Sequence, residues 1–392
     1  MDLELPEELR LLKATVREFV DRELIPNELK ADDGGALRPE VRADLEKKAR
    51  DLGLWMLDVP SELGGQGLGA LGMVVVWEEL SRSIAIAYDA PGIFGPEYWP
   101  LARGMSPSQE QQYLHPALRA ERRLIRTHGE PELAMEENST LTRIQRIQRG
   151  GDGGGEHYRI TGNRRYVDSV AAGDFLQVLA TVDGADGLSL FLVDCSLPGV
   201  TVGAVTRTVT GDERREISLE DVKVPAENRV GPEGGGLESA RSWITMGRLY
   251  QACRGLGVAS RCLDMSASYA KQRVTFGAPI ADRQAVQFML SDTQMEHRLA
   301  QLLIYDAALK LDAGLAAWQE GAMAKLAGMK LAQQAADRCM QIHGGMGMTN
   351  ELPIERMWRR ARAARITEGS SDALRGLLAR GIVDGRDARV QA

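Results

Sequence analysis

Apolar positions change their spacing twice along this chain. Up to about residue 120 they recur every three to four residues: Leu9, Leu12, Val16 and Phe19 fall on one helical face, and residues 73–80 form a second apolar helix introduced by a glycine-rich turn. From about 122 to 235 they alternate in short β-rich runs, 158–161, 175–181 and 188–193, broken by Gly and Pro. After Gly234-Gly235-Gly236 the helical spacing returns almost to the end. Three regions are therefore expected: helical over 1–121, β-rich over 122–235 and helical over 236–392. By itself the periodicity gives only mixed α and β. The late stripes over 299–315 and 323–340 read as core and subunit interface rather than as a cofactor contact.

Composition narrows the class. A chain of 392 residues, 44% hydrophobic and 5% aromatic, can bury two or three sizeable cores. No run reaches the roughly 18 uninterrupted apolar residues that a membrane span needs. The opening MDLELPEELRLL is acidic where a signal peptide would be basic and apolar, so a cytoplasmic or equivalent reducing location is expected. Cys195, Cys253, Cys262 and Cys339 form no CxxC pair and the five histidines show no ligand spacing; free thiols and no metal are expected. A net charge of −7 argues against a nucleic-acid groove.

The most informative stretch is 341–380, QIHGGMGMTNELPIERMWRRARAARITEGSSDALRGLLAR. Residues 357–366 read as a basic helix, with Arg356, Arg359, Arg360, Arg362 and Arg365 able to meet the phosphates of a nucleotide-like ligand. Gly369 lets the chain turn before a second helix opens at Ser370, Ser371 and Asp372. Glu368 thus sits near a helix start. It reads either as a solvated glutamate that steadies the helix or as a base, its pKa raised by burial against an apolar ligand and lowered by the helix dipole and arginines.

A second motif bears on that choice. Residues 269–290, YAKQRVTFGAPIADRQAVQFML, carry Tyr269, Arg273, Phe276, Gly277, Pro279, Ile280, Gln284 and Leu290 in the signature order of the flavin-dependent acyl-CoA dehydrogenases. With 341–380 the chain resembles that family. Weaker similarity lies in GLWMLDVPSELGGQGLG from Gly53, GLSLFLVDCSLPGVTVG from Gly187 and ISLEDVKVPAENRVGPEGGGL from Ile217. The resemblance implies a mainly α fold with a central β-domain: an N-terminal helical bundle, a small β-barrel or sandwich, and a C-terminal four-helix bundle. Gly255-Leu256-Gly257 and Gly344-Gly345-Met346-Gly347 follow no strand, so no dinucleotide fingerprint is present and an NAD-dependent dehydrogenase is disfavoured. Gly255 and Gly257 read as helix-packing positions.

The resemblance further implies FAD. Gln341, Gly344 and Gly345 would contact its adenosine and pyrophosphate half, Arg273 would bind the pyrophosphate of a neighbouring subunit, and Phe276 and Gln284 would hold the adenosine end. Ser370 and Asp372 would reach the flavin, and Arg248 and Gly369 would lie near substrate. Where some members carry their base just before the arginine, this chain has Gly247, leaving Glu368 as the acid. The implied reaction is α,β-dehydrogenation of an acyl-CoA: Glu368 takes the Cα proton while hydride leaves Cβ for the flavin, and the thioester oxygen is held by donors including the Glu368 N–H. Electrons would pass to an electron-transfer flavoprotein or similar acceptor, and a shared FAD site implies a homodimer or homotetramer.

The middle region departs from the family. Where relatives carry Thr-Glu-Pro followed by Gly-Ser-Asp over the flavin ring, this chain reads Thr127-His128-Gly129-Glu130-Pro131, and Gly129 removes a hydroxyl. The usual Trp-Ile-Thr stretch is replaced by Tyr166-Val167-Asp168, and an ionised Asp168 beside the flavin would oppose reduction unless protonated or turned away. Residues 150–155, Gly-Gly-Asp-Gly-Gly-Gly, read as a flexible hairpin tip. These departures keep two alternatives open: a catalytically impaired paralogue that serves as a binding or assembly subunit, and a flavin oxidase.

Overall fold

The computed structural model describes residues 5–30, 37–85, 92–126, 142–147, 156–168 and 170–385. The chain divides into two compact units, one gathering 1–95, 209–212 and 245–392, the other 96–208 and 213–244.

The first unit is helical. Helix α1, Glu7–Phe19, opens with Glu7 and Glu8 and closes with Arg17, matching the helix dipole, and it buries Val16 and Phe19 as the spacing predicts. α2 spans Pro39–Asp51, with proline in its first turn where no N–H is needed. α3, Ala70–Leu80, is buried on every side, as an all-round apolar helix must be. Its buried carboxylates are paired: Glu78 with Lys13 at 2.9 Å and Tyr305 at 2.7 Å, Glu79 with Arg17 at 2.9 Å. The N–H groups of Ala70 and Leu71 donate to the Asp312 carboxylate at 2.6 and 3.0 Å, so a residue some 240 positions away caps this helix.

C-terminal to the sheet strands come α4 Gly236–Gln272, α5 Gln284–Asp312, α6 Trp318–His343, α7 Ile354–Ala364 and α8 Ser371–Val383. α4 and α6 approach until their backbones touch. A Cβ at Gly255 would lie 2.1 Å from the Gly328 carbonyl, and one at Gly257 would lie 2.5 Å from the Ser81 backbone. Both glycines are helix-packing positions, as their sequence setting suggested.

The second unit is built on a mixed eight-stranded sheet: β1 Leu124–Arg126, β2 Arg143–Ile147, β3 His157–Val167, β4 Phe175–Val182, β5 Leu188–Asp194, β6 Val200–Arg207, β7 Glu213–Pro225 and β8 Arg229–Val230. The order is β6-β7-β3-β2-β4-β5-β8, with β1 parallel to β4. Its core holds Ile144, Tyr158, Ile160, Val178, Phe191, Ile217 and Val222. The alternating runs found in the sequence fall inside β3, β4 and β5. Residues 150–155 and Gly129 lie outside the described residues.

Among the described residues no helix is long and apolar enough to cross a membrane, and no group of three or more His, Cys, Asp or Glu side chains could hold a metal. All four thiols are free, three of them buried.

Candidate active site

Glu368 stands in a turn between α7 and α8. α7 begins at Ile354 and ends at Ala364, two residues short of the basic segment read from the sequence, because the last carbonyls are drawn into the turn: Ala363 accepts from Ile366 N–H and Arg365 accepts from Ser371 N–H at 3.0 Å. The backbone then reverses through two left-handed residues, Glu368 at φ 53° and Gly369 at φ 92°. Glycine takes that conformation freely and glutamate does not. A non-glycine residue held there signals an over-determined turn of the kind found at functional sites. Ser370 terminates it as the N-cap of α8, its hydroxyl accepting from Ala373 N–H at 3.2 Å. Asp372 lies exposed on the first turn of α8, 3.2 Å from Arg375.

Beneath the turn lies a residue that the sequence reading passed over. Lys325 of α6 is 1% exposed, and its ammonium donates to the carbonyls of both Thr367 and Gly369, on either side of Glu368. Burial pushes its pKa down to about 7, Glu368 pulls it up and Arg248 adds to the depression. Arg248, buried on α4, donates to the Trp318 carbonyl at 3.4 Å. α4, α6 and the half-buried Glu368 turn thus meet around Lys325, which brings together the predicted Glu368, Gly369 and Arg248, with Ser370 next along the turn. The visible signal for Lys325 was a lone lysine on a stripe of small residues, Gly321, Lys325, Gly328 and Ala332. Nothing in the spacing said that this stripe would face the turn.

Several of the arginines before the turn are engaged with the protein. Arg359 holds Glu355 at 2.7 Å and the Val209 carbonyl at 3.2 Å, and Arg365 donates to Gln333 at 2.8 Å. Arg360 is buried, its pKa pushed down to about 9 by desolvation and then by Arg254 and Arg356.

A second group lies at the C-terminal ends of α4 and α6. Arg273 follows α4 into a hairpin, β9 Val274–Thr275 and β10 Ala278–Pro279, whose tip carries Phe276 at φ 50° and fully exposed. Gln284 opens α5 beside it, and Arg273, Phe276 and Gln284 all face solvent. α6 ends in Gly344 at φ 60° and ψ −136°, and Gln341, Gly344 and Gly345 are exposed, with open space where a Cβ would stand on either glycine. Tyr269 of α4 stacks on His343 of α6 with ring centroids 4.4 Å apart, holding these two chain ends together. An exposed guanidinium and an open glycine cradle fit the diphosphate of FAD.

In the sheet unit, β3 and β7 slip register between Arg164 and Val167, a bulge that leaves Tyr166 at φ 61° and 60% exposed. Asp168 follows it, ion-paired with the buried Arg214 of β7. The sequence reading left an ionised Asp168 two ways to be harmless. The structure adds a third, because Arg214 balances its charge.

The helical frame, the mixed sheet and a carboxylate turn at the head of the last helix are the parts that the resemblance to the flavin-dependent acyl-CoA dehydrogenases implies. The chain matches the acyl-CoA dehydrogenase N-terminal domain over residues 6–121 and the acyl-CoA dehydrogenase C-terminal domain over 234–383. It is 31% identical over 383 residues to the mouse mitochondrial short-chain specific acyl-CoA dehydrogenase, covering 96% of this chain and 90% of the relative. It is 30% identical to the caffeyl-CoA reductase–Etf complex subunit CarC of Acetobacterium woodii, over 93% of this chain and 95% of that one. The butyryl-CoA dehydrogenase structure from Megasphaera elsdenii superposes with a TM-score of 0.82 at 26% identity, covering 98% of this chain and 100% of the other. The protein belongs to the acyl-CoA dehydrogenase family, FAD-dependent oxidoreductases that act on a CH–CH bond.

Proposed function

We propose that this protein oxidises an acyl-CoA thioester to the 2-enoyl-CoA, with Glu368 as the base that removes the Cα proton. The observation that carries the reading is the turn itself: a carboxylate held at a left-handed position, with a buried ammonium holding the carbonyls of the residues on either side. A base must be held before the substrate arrives, since small misplacements of a catalytic group are costly. Bound FAD supplies the acceptor for the hydride that leaves Cβ.

In this reading Glu368 takes the proton, and the backbone N–H of Glu368 donates to the thioester oxygen as negative charge develops there. Gly369, next to the base, takes the left-handed conformation that the turn near the substrate needs. Arg248, buried on α4, adds a second cation beside Lys325 and lies near the substrate in this reading. Arg273, Phe276 and Gln284 serve the FAD of a neighbouring subunit, and Gln341, Gly344 and Gly345 take the pyrophosphate side. The solvent-facing row Phe288, Met295, Leu299 and Leu303 on α5 supports assembly into a homodimer or homotetramer. An electron-transfer flavoprotein is the acceptor this reading favours, in keeping with the Etf-linked relative.

The test is the visible spectrum of the purified protein before and after anaerobic addition of an acyl-CoA panel. Flavin bands that bleach with one chain-length class support the reading and name the substrate. A protein that cannot be loaded with FAD contradicts it, and peroxide release without an added acceptor moves it to an oxidase.

A further inference from the structure

We propose that Lys325 is a positioning residue that aims the oxyanion donor of this site through the peptide planes around Glu368. The inference rests on the reading of Glu368 as the base. Two carbonyls that flank one residue, Thr367 O and Gly369 O, converge on a single ammonium. No peptide bond in the described chain is cis. In a trans peptide the N–H points opposite to the carbonyl of the same plane. Drawing Thr367 O toward Lys325 therefore turns the Glu368 N–H away from it, and drawing Gly369 O the same way turns the Ser370 N–H.

The left-handed Glu368 and Gly369 are what allow two carbonyls so close in sequence to reach one nitrogen. One buried side chain thus fixes the direction of the N–H nearest the base together with the stem from which the carboxylate projects. Lys325 also keeps this role when it titrates. An ammonium has three N–H donors and a neutral amine two, enough for both carbonyls in either state. Glu368 and Arg248 are the charged side chains that act on it among the described residues. A tether that survives loss of the charge is a geometric device first.

The experiment reads the thioester carbonyl directly. Butyryl-CoA labelled with carbon-13 at C1 is bound to the FAD-loaded Glu368→Gln protein, in which the backbone donor remains and turnover stops, and the infrared carbonyl band is recorded against free ligand. A band displaced to lower frequency is expected. Adding Lys325→Met should return it at least halfway to the free position while butyryl-CoA stays bound, and Lys325→Met alone should slow flavin reduction by roughly 10²-fold. Lys325→Gln, which keeps amide donors, should recover part of the displacement, and it carries the same test if the Met variant fails to fold. A band unchanged by either substitution overturns the proposal. Flavin reduction that persists in Glu368→Gln would instead sink the base assignment and leave the carbonyl comparison readable.

Discussion

The Glu368 turn and the Tyr166–Asp168 bulge are both strained backbone carrying a carboxylate, yet they are held in different ways. At the turn the backbone is anchored: Lys325 takes two carbonyls, Ser370 caps the next helix and Gly369 absorbs the reversal. At the bulge it is the carboxylate that is held, with Asp168 paired to Arg214. Anchoring the backbone fixes the point from which a side chain projects, whereas pairing the carboxylate offsets its charge. The difference fits the proposal that Glu368 is the base, and it makes Asp168 a balanced charge.

Changes in the two regions should separate them. The largest effect is expected from Glu368→Gln, which should slow anaerobic flavin reduction by about 10²–10⁴-fold with FAD content retained. Asp168→Asn should leave that rate within the same order, and an equal loss would erase the distinction. Arg214→Met tests the balance at the bulge. It leaves Asp168 uncompensated and should lower the two-electron potential by about 1 kcal/mol, or roughly 20 mV, on potentiometric titration. Asp312→Ala touches neither region and should cost about 1 kcal/mol of stability, read as a fall in Tm, by removing the acceptor for Ala70 and Leu71 N–H.

A pH test bears on the turn alone. Burial holds the Lys325 pKa near 7, so the folded protein releases that proton well below the pH at which an unfolded lysine does. Fewer protons are then bound in the folded state, and stability contributed by this group rises with pH between about 7 and 10. The Tm of wild type relative to Lys325→Met should climb across that window. A flat difference would mean that burial does not perturb this lysine.

Much of this architecture was legible in the sequence. The period-3.6 and period-2 runs marked the helical and β regions, and the Glu368-Gly369-Ser370 segment announced a turn ahead of a capped helix. What escaped shares one cause, since each residue acts across a long separation. Lys325 looked like part of a core stripe until Gly255 and Gly328 brought α4 and α6 into backbone contact. Asp168 and Arg214 are 46 positions apart and meet through β3–β7 pairing, in which a bulge sets the register near Val167 and Arg215. Asp312 caps a helix 242 positions away. Periodicity reports which face of an element is buried and says nothing about what it is buried against.

The central claim is that Glu368 removes the α-proton, and exchange of that proton tests it without requiring net oxidation. FAD-loaded protein with its flavin already reduced is incubated with butyryl-CoA in deuterated water, and deuterium at Cα is followed by mass spectrometry. The account predicts incorporation by the wild type and its loss in Glu368→Gln. Incorporation that continues at the wild-type rate in Glu368→Gln would contradict it.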